Sequence, residues 1–347
     1  MWNSQRGVAF PLLTEKVAGL GHGAMNEGGR RIVLVGGGSL LAAACNPTQS
    51  ALHPAGEEAR GVAELFWLMT GAGAIIWLIV IGITVYAILG RRRPTSEPFA
   101  DRFILIGGVA FPTMVLAALL VVGLSLLPAW TEDDEPDLRV HVAAEQFWWR
   151  FGYELPDGTR LETANEIHLP LGTTEFVITS PDVIHSFWIP ALGGKLDAIP
   201  GRTNRLRLTA VRPGVYRGVC AEFCGLSHAL MAFPAIVHEP EDFDEWLAAE
   251  ARPAQATSDP APFVANGCGA CHVVRGVSEA GSVGPDLTHF ASRQTIAAGT
   301  LPNTEANLRR WITDPDSVKP GVHMPPFDRL APEELDALVL FLGSLRR

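Results

Sequence analysis

The sequence predicts a multi-domain membrane protein: a two-helix transmembrane hairpin, then an all-β sandwich or barrel, then an all-α domain. Three observations predict it. Two runs of 25 residues, Leu65–Leu89 and Phe103–Leu127, hold no charged side chain, and about 20 apolar residues suffice for a helix to cross the hydrocarbon core. From 138 to 237 the pattern becomes short alternating or β-branched runs such as "TEFVITS" and "NRLRLTAV", separated by turn residues such as "PDGT" and "RPG", the spacing of a sandwich or barrel. Near the end, "TEANLRRWIT" and "APEELDALVLFLGSL" repeat their apolar residues at helical period. The 347 residues suit two or three domains of roughly 150 residues each. A hydrophobic fraction of 48% fits a membrane protein with large soluble parts, and a net charge of −10 argues against nucleic acid as a partner.

In order along the chain, residues 1–45 read as a leader or signal. Basic Arg30 and Arg31 precede a short apolar run and small residues, too short a core for a span. Cys45 directly follows the small residues and resembles a lipoprotein processing site, which makes it a candidate for lipidation. The hairpin occupies 63–128. Its connecting loop carries Arg91, Arg92, Arg93 and Arg102, which marks the cytoplasmic side and leaves both flanks outside. Pro112 lies inside the second span, where neighbouring helices can satisfy the carbonyl it frees. The β domain follows at 138–240, with "LRVHVAAEQFWW", "TEFVITS", "NRLRLTAV" and "AIVHE" as strands. A helix and a Pro/Ala/Ser/Thr-rich flexible linker occupy 241–261, and the helical domain occupies 262–347.

The chemistry is concentrated in the sulfurs. Of five cysteines and six methionines, three fall in "VCAEFCGLSHALM". Cys220, Cys224, His228 and Met231 are spaced Cys-x3-Cys-x3-His-x2-Met. Thiolate, imidazole and thioether together suit copper rather than calcium or magnesium, and two thiolates on one loop could bridge two copper ions. His185, in "SPDVIHSFWIP", offers a further ligand at a strand end. Structural zinc rarely uses methionine. A disulfide across Cys220 and Cys224 stays open in an oxidising compartment but leaves His228 and Met231 without a role. His141, His168 and His238 read as ordinary histidines of the β domain.

The other cysteine pair forms "CGACH". Cys268 and Cys271 have the spacing that makes thioethers to haem, with His272 as proximal iron ligand. Outside the leader and the spans the methionines are Met231 and Met324. With Met231 in the copper loop, Met324 in "KPGVHMPPF" is the candidate second axial ligand, and His–Met ligation raises a haem potential. His289 and His323 are rivals for that place and read as ordinary surface histidines.

These residues carry a family resemblance. "CAEFCGLSHALM", preceded by "IHSFWIPALGGKLDAIPGR", resembles subunit II of the haem-copper cytochrome c oxidases, over about 63–237. The C-terminal segment resembles a class I cytochrome c, so the whole resembles the bacterial branch that carries its own cytochrome. The resemblance implies a cupredoxin-like Greek-key β domain holding a dinuclear copper centre, CuA. Cys220 and Cys224 would bridge the coppers, with His185 and His228 capping them. Met231 and the Glu222 carbonyl would be weak ligands, and the Glu222 side chain a candidate for magnesium at the boundary with the catalytic subunit. It also implies one covalent haem c, and electrons passing from haem c to CuA and on to the catalytic subunit, which reduces oxygen to water and moves protons. The implied partners are catalytic subunit I, other oxidase subunits, the membrane, and a donor such as a cytochrome c or a cytochrome bc complex. The implied location is the bacterial inner membrane, with both soluble domains on the periplasmic side. Two alternatives are a CuA subunit of a nitric oxide reductase and a membrane-anchored copper-handling protein; the haem motif speaks against the second. The family's electron-entry tryptophan position falls on Phe147, followed by Trp148 and Trp149, which could instead pack the domain against the membrane boundary. The linker is expected to keep donor and acceptor at an effective concentration of order mM.

Overall fold

The computed structural model describes residues 47–90, 96–126, 135–155 and 157–347. The leader, Cys45 and Arg91–Arg93 lie outside the described residues.

Both apolar runs are helical. α1 spans Glu57–Leu89 and α2 spans Glu97–Ser125, so α1 begins a little over two turns before the apolar run and α2 absorbs "EPFADR" ahead of its own. Residues Ile106–Ala110 of α2 widen into a π turn, in which Phe111 N–H reaches the Ile106 carbonyl. The widening falls just before Pro112, whose ring and missing N–H disrupt regular α-helical bonding. Side chains such as Trp67, Leu78, Leu116 and Val121 are exposed on all sides, as expected of helices whose solvent is lipid.

The entry to α1 is sewn to the β domain. Ala55 N–H and Gly56 N–H donate to the Ala191 carbonyl at 2.7 and 3.1 Å, and Ala59 N–H donates to the Leu192 carbonyl at 3.2 Å. Thr209 N–H donates to Glu58 Oε2 at 3.0 Å. Glycine is required at 56, where a Cβ would sit 2.1 Å from the Leu192 carbonyl oxygen.

Two five-stranded sheets make the β domain, in the orders β3-β2-β1-β5-β8 and β4-β10-β9-β6-β7. The strands are β1 Leu138–Glu145, β2 Trp148–Glu154, β3 Arg160–Ala164, β4 Ile167–Pro170, β5 Gly172–Thr179, β6 His185–Trp188, β7 Leu196–Ala198, β8 Asn204–Ala210, β9 Gly214–Cys220 and β10 Ala232–His238. The stretch "LRVHVAAEQFWW" is a hairpin rather than one strand, because Glu145 pairs with Trp148 across a two-residue turn. Trp149, Phe151, Phe187 and Phe233 fill the space between the sheets with ring centroids 5.3–5.7 Å apart, edge-to-face or offset as aromatic quadrupoles prefer. Beyond β10, α3 (Pro240–Glu250) lays Phe243 and Trp246 on this core.

The last domain is built from α4 (Ala261–Ala265), α5 (Glu305–Thr313), α6 (Pro315–Val318) and α7 (Pro332–Ser344), with a short ribbon of β11 (Thr295–Ile296) and β12 (Leu301–Pro302). Thr304 caps α5 by accepting from Asn307 N–H. Phe263, Leu308, Ile312, Leu338, Phe341 and Leu342 form the core.

The expected free tether is instead strapped down. Ala254 N–H donates to the Arg275 carbonyl at 3.3 Å, and Gln255 bridges to Arg346. A buried polar cluster then joins the domains. Glu166 accepts from Gln294 N–H at 3.0 Å and lies 3.7 Å from Arg347. Glu250 lies 3.0 Å from both Arg347 Nε and His289 Nδ1. His289 is therefore buried, only 2% exposed, and not a surface histidine; its place is set by a partner 39 residues away. His168 stands between Glu166 and His238, at 3.0 and 2.7 Å, and stacks on Trp246.

Burial alone would raise both carboxyls, but contacts with His168, Gln294 and Arg293 at Glu166, and with His289, Arg347 and Arg293 at Glu250, hold them below the usual range. Burial holds His168 and His238 low. Each group therefore takes up its proton at lower pH in the folded chain than in the unfolded one. Its contribution is full above the unfolded values, about 6.5 for histidine and about 4.3 for glutamate, and is lost as pH falls through the depressed folded values. Thermal unfolding of the soluble domains is expected to be flat from neutrality to about pH 6.5 and to fall below it. A midpoint that rises on acidification would contradict this role.

Candidate metal centre and haem pocket

Three neighbouring strand ends deliver the copper-type ligands. His185 opens β6, Cys220 closes β9, and Met231 immediately precedes β10. Phe187 pairs with Cys220 and Ala232 with Val219, while Cys220 N–H donates to the Met231 carbonyl at 2.9 Å. The register of the sheet thus fixes these three residues, and the loop between β9 and β10 brings Cys224 and His228 to them.

The donor atoms converge. Cys220 Sγ lies 3.9 Å from Cys224 Sγ, 3.9 Å from His185 Nδ1 and 3.2 Å from the Glu222 carbonyl oxygen. Cys224 Sγ lies 3.7 Å from His228 Nδ1 and 3.9 Å from Met231 Sδ. Both cysteines are free, and 3.9 Å is nearly twice a disulfide's S–S length of about 2.05 Å. His185, Cys220, Cys224 and Met231 are all buried, and His228 half so. Two sulfurs side by side, each with its own imidazole, fit a pair of soft metal ions better than one. The hydrogen bond with Cys224 holds the Cys220 thiol far below its usual range, and its partner Cys224 is pushed up.

The residues that support these ligands, Asp182 and Gln146, carry no motif of their own. Asp182 Oδ1 lies 2.9 Å from His185 Nε2, which fixes the ring so that Nδ1 faces the sulfurs. Asp182 in turn accepts from Gln146 N–H at 2.7 Å and from Val183 N–H at 2.6 Å, and Gln146 Nε2 donates to the Cys224 carbonyl at 2.5 Å. A carboxylate three residues before the histidine was the available signal. Replacing Asp182 by alanine is expected to weaken copper retention about 10- to 100-fold, read by chelator competition; unchanged retention would show that His185 needs no such support.

The Glu222 side chain is half exposed and sits 3.7 Å from Lys195 Nζ, which also pairs with Asp197 at 3.2 Å.

Cys268, Cys271, His272 and Met324 all line one cavity of about 360 Å³ in the helical domain. His272 Nδ1 lies 2.8 Å from the Pro285 carbonyl. A carbonyl only accepts, so Nδ1 carries the proton and Nε2 is left as a free ligand. Burial lowers the His272 pKa, which favours the neutral, metal-binding ring. Gly284 makes room for it, since a Cβ there would meet the ring at 2.6 Å. His323 also lines the cavity but is exposed.

The cavity has a second wall in the β domain, formed by Glu145, Gln146, Phe147 and Trp148. Phe147 and Trp148 thus face the helical domain and Trp149 sits in the sandwich core, so of the two readings open for these aromatics, the one that packs them against the membrane boundary is not the arrangement seen. Arg150 lies 4.7 Å over the Trp148 ring and donates to the Ser282 carbonyl across the junction at 2.9 Å.

A membrane-anchored β-sandwich with a paired-thiolate pocket, joined to a helical domain with a haem-type cavity, defines the class of membrane-bound electron-transfer proteins with two redox modules. Residues 153–239 match the family model "Cytochrome C oxidase subunit II, periplasmic domain", and residues 261–346 match "Cytochrome c". The chain is 35% identical to cytochrome c oxidase subunit 2 of Alkalihalophilus pseudofirmus over 86% of its own length and 91% of the relative's. It is 36% identical to that of Bacillus sp. strain PS3, covering 61% and 64%, and 32% identical to that of Bacillus subtilis, covering 91% and 98%. The chain belongs to the cytochrome c oxidase subunit 2 family. It is thereby the electron-entry subunit of a haem-copper terminal oxidase, in a form that carries its own cytochrome c domain, and its two families imply copper and haem c as cofactors.

Proposed function

We propose that Cys220 and Cys224 bridge a dinuclear copper centre capped by His185 and His228, with Met231 and the Glu222 carbonyl as weak ligands. We propose equally that Cys268 and Cys271 bind haem c covalently, with His272 and Met324 as its axial ligands. The carrying observation is the convergence of two sulfurs and two imidazoles, each sulfur within 4 Å of its own ring nitrogen. When bound, the two groups supply one-electron carriage between a donor and the catalytic subunit. The chain's residues supply the rest. The strand ends of β6, β9 and β10 hold His185, Cys220 and Met231 in register, and the short loop between β9 and β10 carries Cys224 and His228, so little rearrangement opposes a change of charge. Asp182 and Pro285 fix the imidazoles of His185 and His272, and the cytochrome domain covers the Phe147–Trp148 face of the β domain. Electrons from outside, delivered by a cytochrome c or a cytochrome bc complex, then enter through haem c first.

The domains 138–240 and 262–347 are assigned to the periplasmic side of the bacterial inner membrane, after a leader at 1–45 with Cys45 as its lipidation site and a hairpin at 63–128. The arginines between the spans support this orientation. A magnesium ion at the boundary with the catalytic subunit would take Glu222 as one carboxylate of a set completed by that partner, with Lys195 turning away. The test is metal content and copper EPR of the purified complex. The expected result is two coppers on this subunit per covalent haem, with a multi-line hyperfine pattern from one electron shared between two nuclei. A single-copper pattern would overturn the assignment.

A further inference from the structure

Lys319 is almost fully buried, 2% exposed, and among the described residues it pairs with no carboxylate. Its Nζ instead donates to two main-chain carbonyls, of Leu230 at 2.9 Å and of Ala297 at 3.1 Å. Leu230 lies in the loop of the copper ligands, between His228 and Met231. Ala297 lies in the helical domain, as does Thr300, whose hydroxyl donates to the same Leu230 carbonyl at 3.2 Å.

A second bond runs the other way one residue on. The Ser227 hydroxyl, fully buried, donates to the Pro320 carbonyl at 2.7 Å. Each loop is therefore bonded to the other through residues next to or near a metal ligand: Ser227 and Leu230 flank His228 and Met231, and Lys319 and Pro320 lead into Met324. Lys319 also lines the haem-type cavity. These bonds lie apart from the cluster around Glu166 and Glu250, which already holds the domains together.

Burying an ammonium without a counter-charge is costly, and a methionine would fill the same volume without that cost. What the lysine adds is a reach of four methylenes ending in several donors. Burial pushes it down to about 7, and both the charged and the neutral amine keep N–H groups for the two carbonyls.

We propose that Lys319, together with Ser227, is a positioning residue for electron transfer from haem c to the copper centre, clasping the loop that bears Met324 to the loop that bears His228 and Met231. The inference rests on the copper and haem assignments proposed above. The transfer moves one electron, oxidising the iron and reducing the copper pair by one, with no bond made or broken. Its rate falls exponentially with separation, so slack between the loops costs rate even where each centre is intact.

The test is made in the assembled oxidase with Lys319→Met, Ser227→Ala and the double variant. Haem c is reduced by one electron from a flash-excited ruthenium photoreductant with a sacrificial donor, and its reoxidation by the copper centre is followed, with the copper EPR and the haem spectrum of each protein recorded. The inter-centre rate is expected to fall about 10-fold or more in Lys319→Met, and further in the double variant. Reduction of haem c by an external donor, the copper EPR and the iron–methionine absorption should stay as in the parent. Amide hydrogen exchange should rise at 227–232 and 297–300 and stay unchanged around Asp182. An unchanged inter-centre rate in Lys319→Met overturns the proposal. If that variant fails to assemble, Ser227→Ala decides in the same way. A parent protein without the two-copper EPR pattern would instead overturn the underlying copper assignment.

Discussion

Replacing Cys220 by serine is expected to abolish the two-copper EPR pattern and to lower oxidase turnover by at least about 100-fold. Losing an outer-shell partner already costs about 10- to 100-fold at a metal site, and this change removes one of the two central sulfur donors itself. Cys220 Sγ neighbours Cys224 Sγ, His185 Nδ1 and the Glu222 carbonyl. Serine offers a hard hydroxyl where soft copper prefers thiolate, and with one sulfur left a pair of ions has no shared bridge. The variant should still fold, because the strand register around it is held by main-chain bonds such as Cys220 N–H to the Met231 carbonyl. Copper content and EPR of the purified complex check this. Two coppers retained with an unaltered pattern would mean that Cys220 is not a bridging ligand.

Changing His272 to alanine should be as severe and should spare the copper pocket. The haem would remain attached through Cys268 and Cys271 but lack its proximal ligand, so its low-spin absorption should disappear and turnover with a cytochrome donor should drop at least about 100-fold, on the same reasoning that even outer-shell losses cost 10- to 100-fold. Direct reduction of the copper centre by a small-molecule donor should be preserved. An intact low-spin spectrum would show that another side chain, such as His323 at the cavity rim, serves as the ligand.

The contrast between these sites and the junction explains what the amino-acid order made readable. Both spans could be read because lipid demands an unbroken apolar run. The metal residues could be read because "CAEFCGLSHALM" and "CGACH" place their chemistry within a few residues. The helices α5 and α7 showed their period. The outer shell and the junction left no such trace. Lys319 meets Leu230 across 89 residues, Ser227 meets Pro320 across 93, and Glu166 meets Gln294 across 128. No local pattern encodes a bond of that kind, and His289 reads as a surface residue for this reason: its neighbours in sequence say nothing of Glu250. Trp148 and Phe147 were ambiguous because an aromatic pair suits a core, a membrane rim or a cofactor wall equally well until the second domain is seated.

The sewing of α1 to the β domain bears on how the molecule rides its membrane. At about 1.5 Å per residue the helix is roughly 50 Å long, against a hydrocarbon thickness of about 30 Å. The surplus includes the N-terminal end, where Ala55, Gly56, Ala59 and Glu58 are bonded to the Ala191–Leu192 turn and to β8. A span joined by a slack hinge could lean to match a thinner bilayer and leave its cargo upright. This one behaves as a keel fixed to its hull: any lean forced by lipid thickness is passed to the β domain, so the lipid environment sets the pitch at which this subunit presents its loops to the rest of the oxidase.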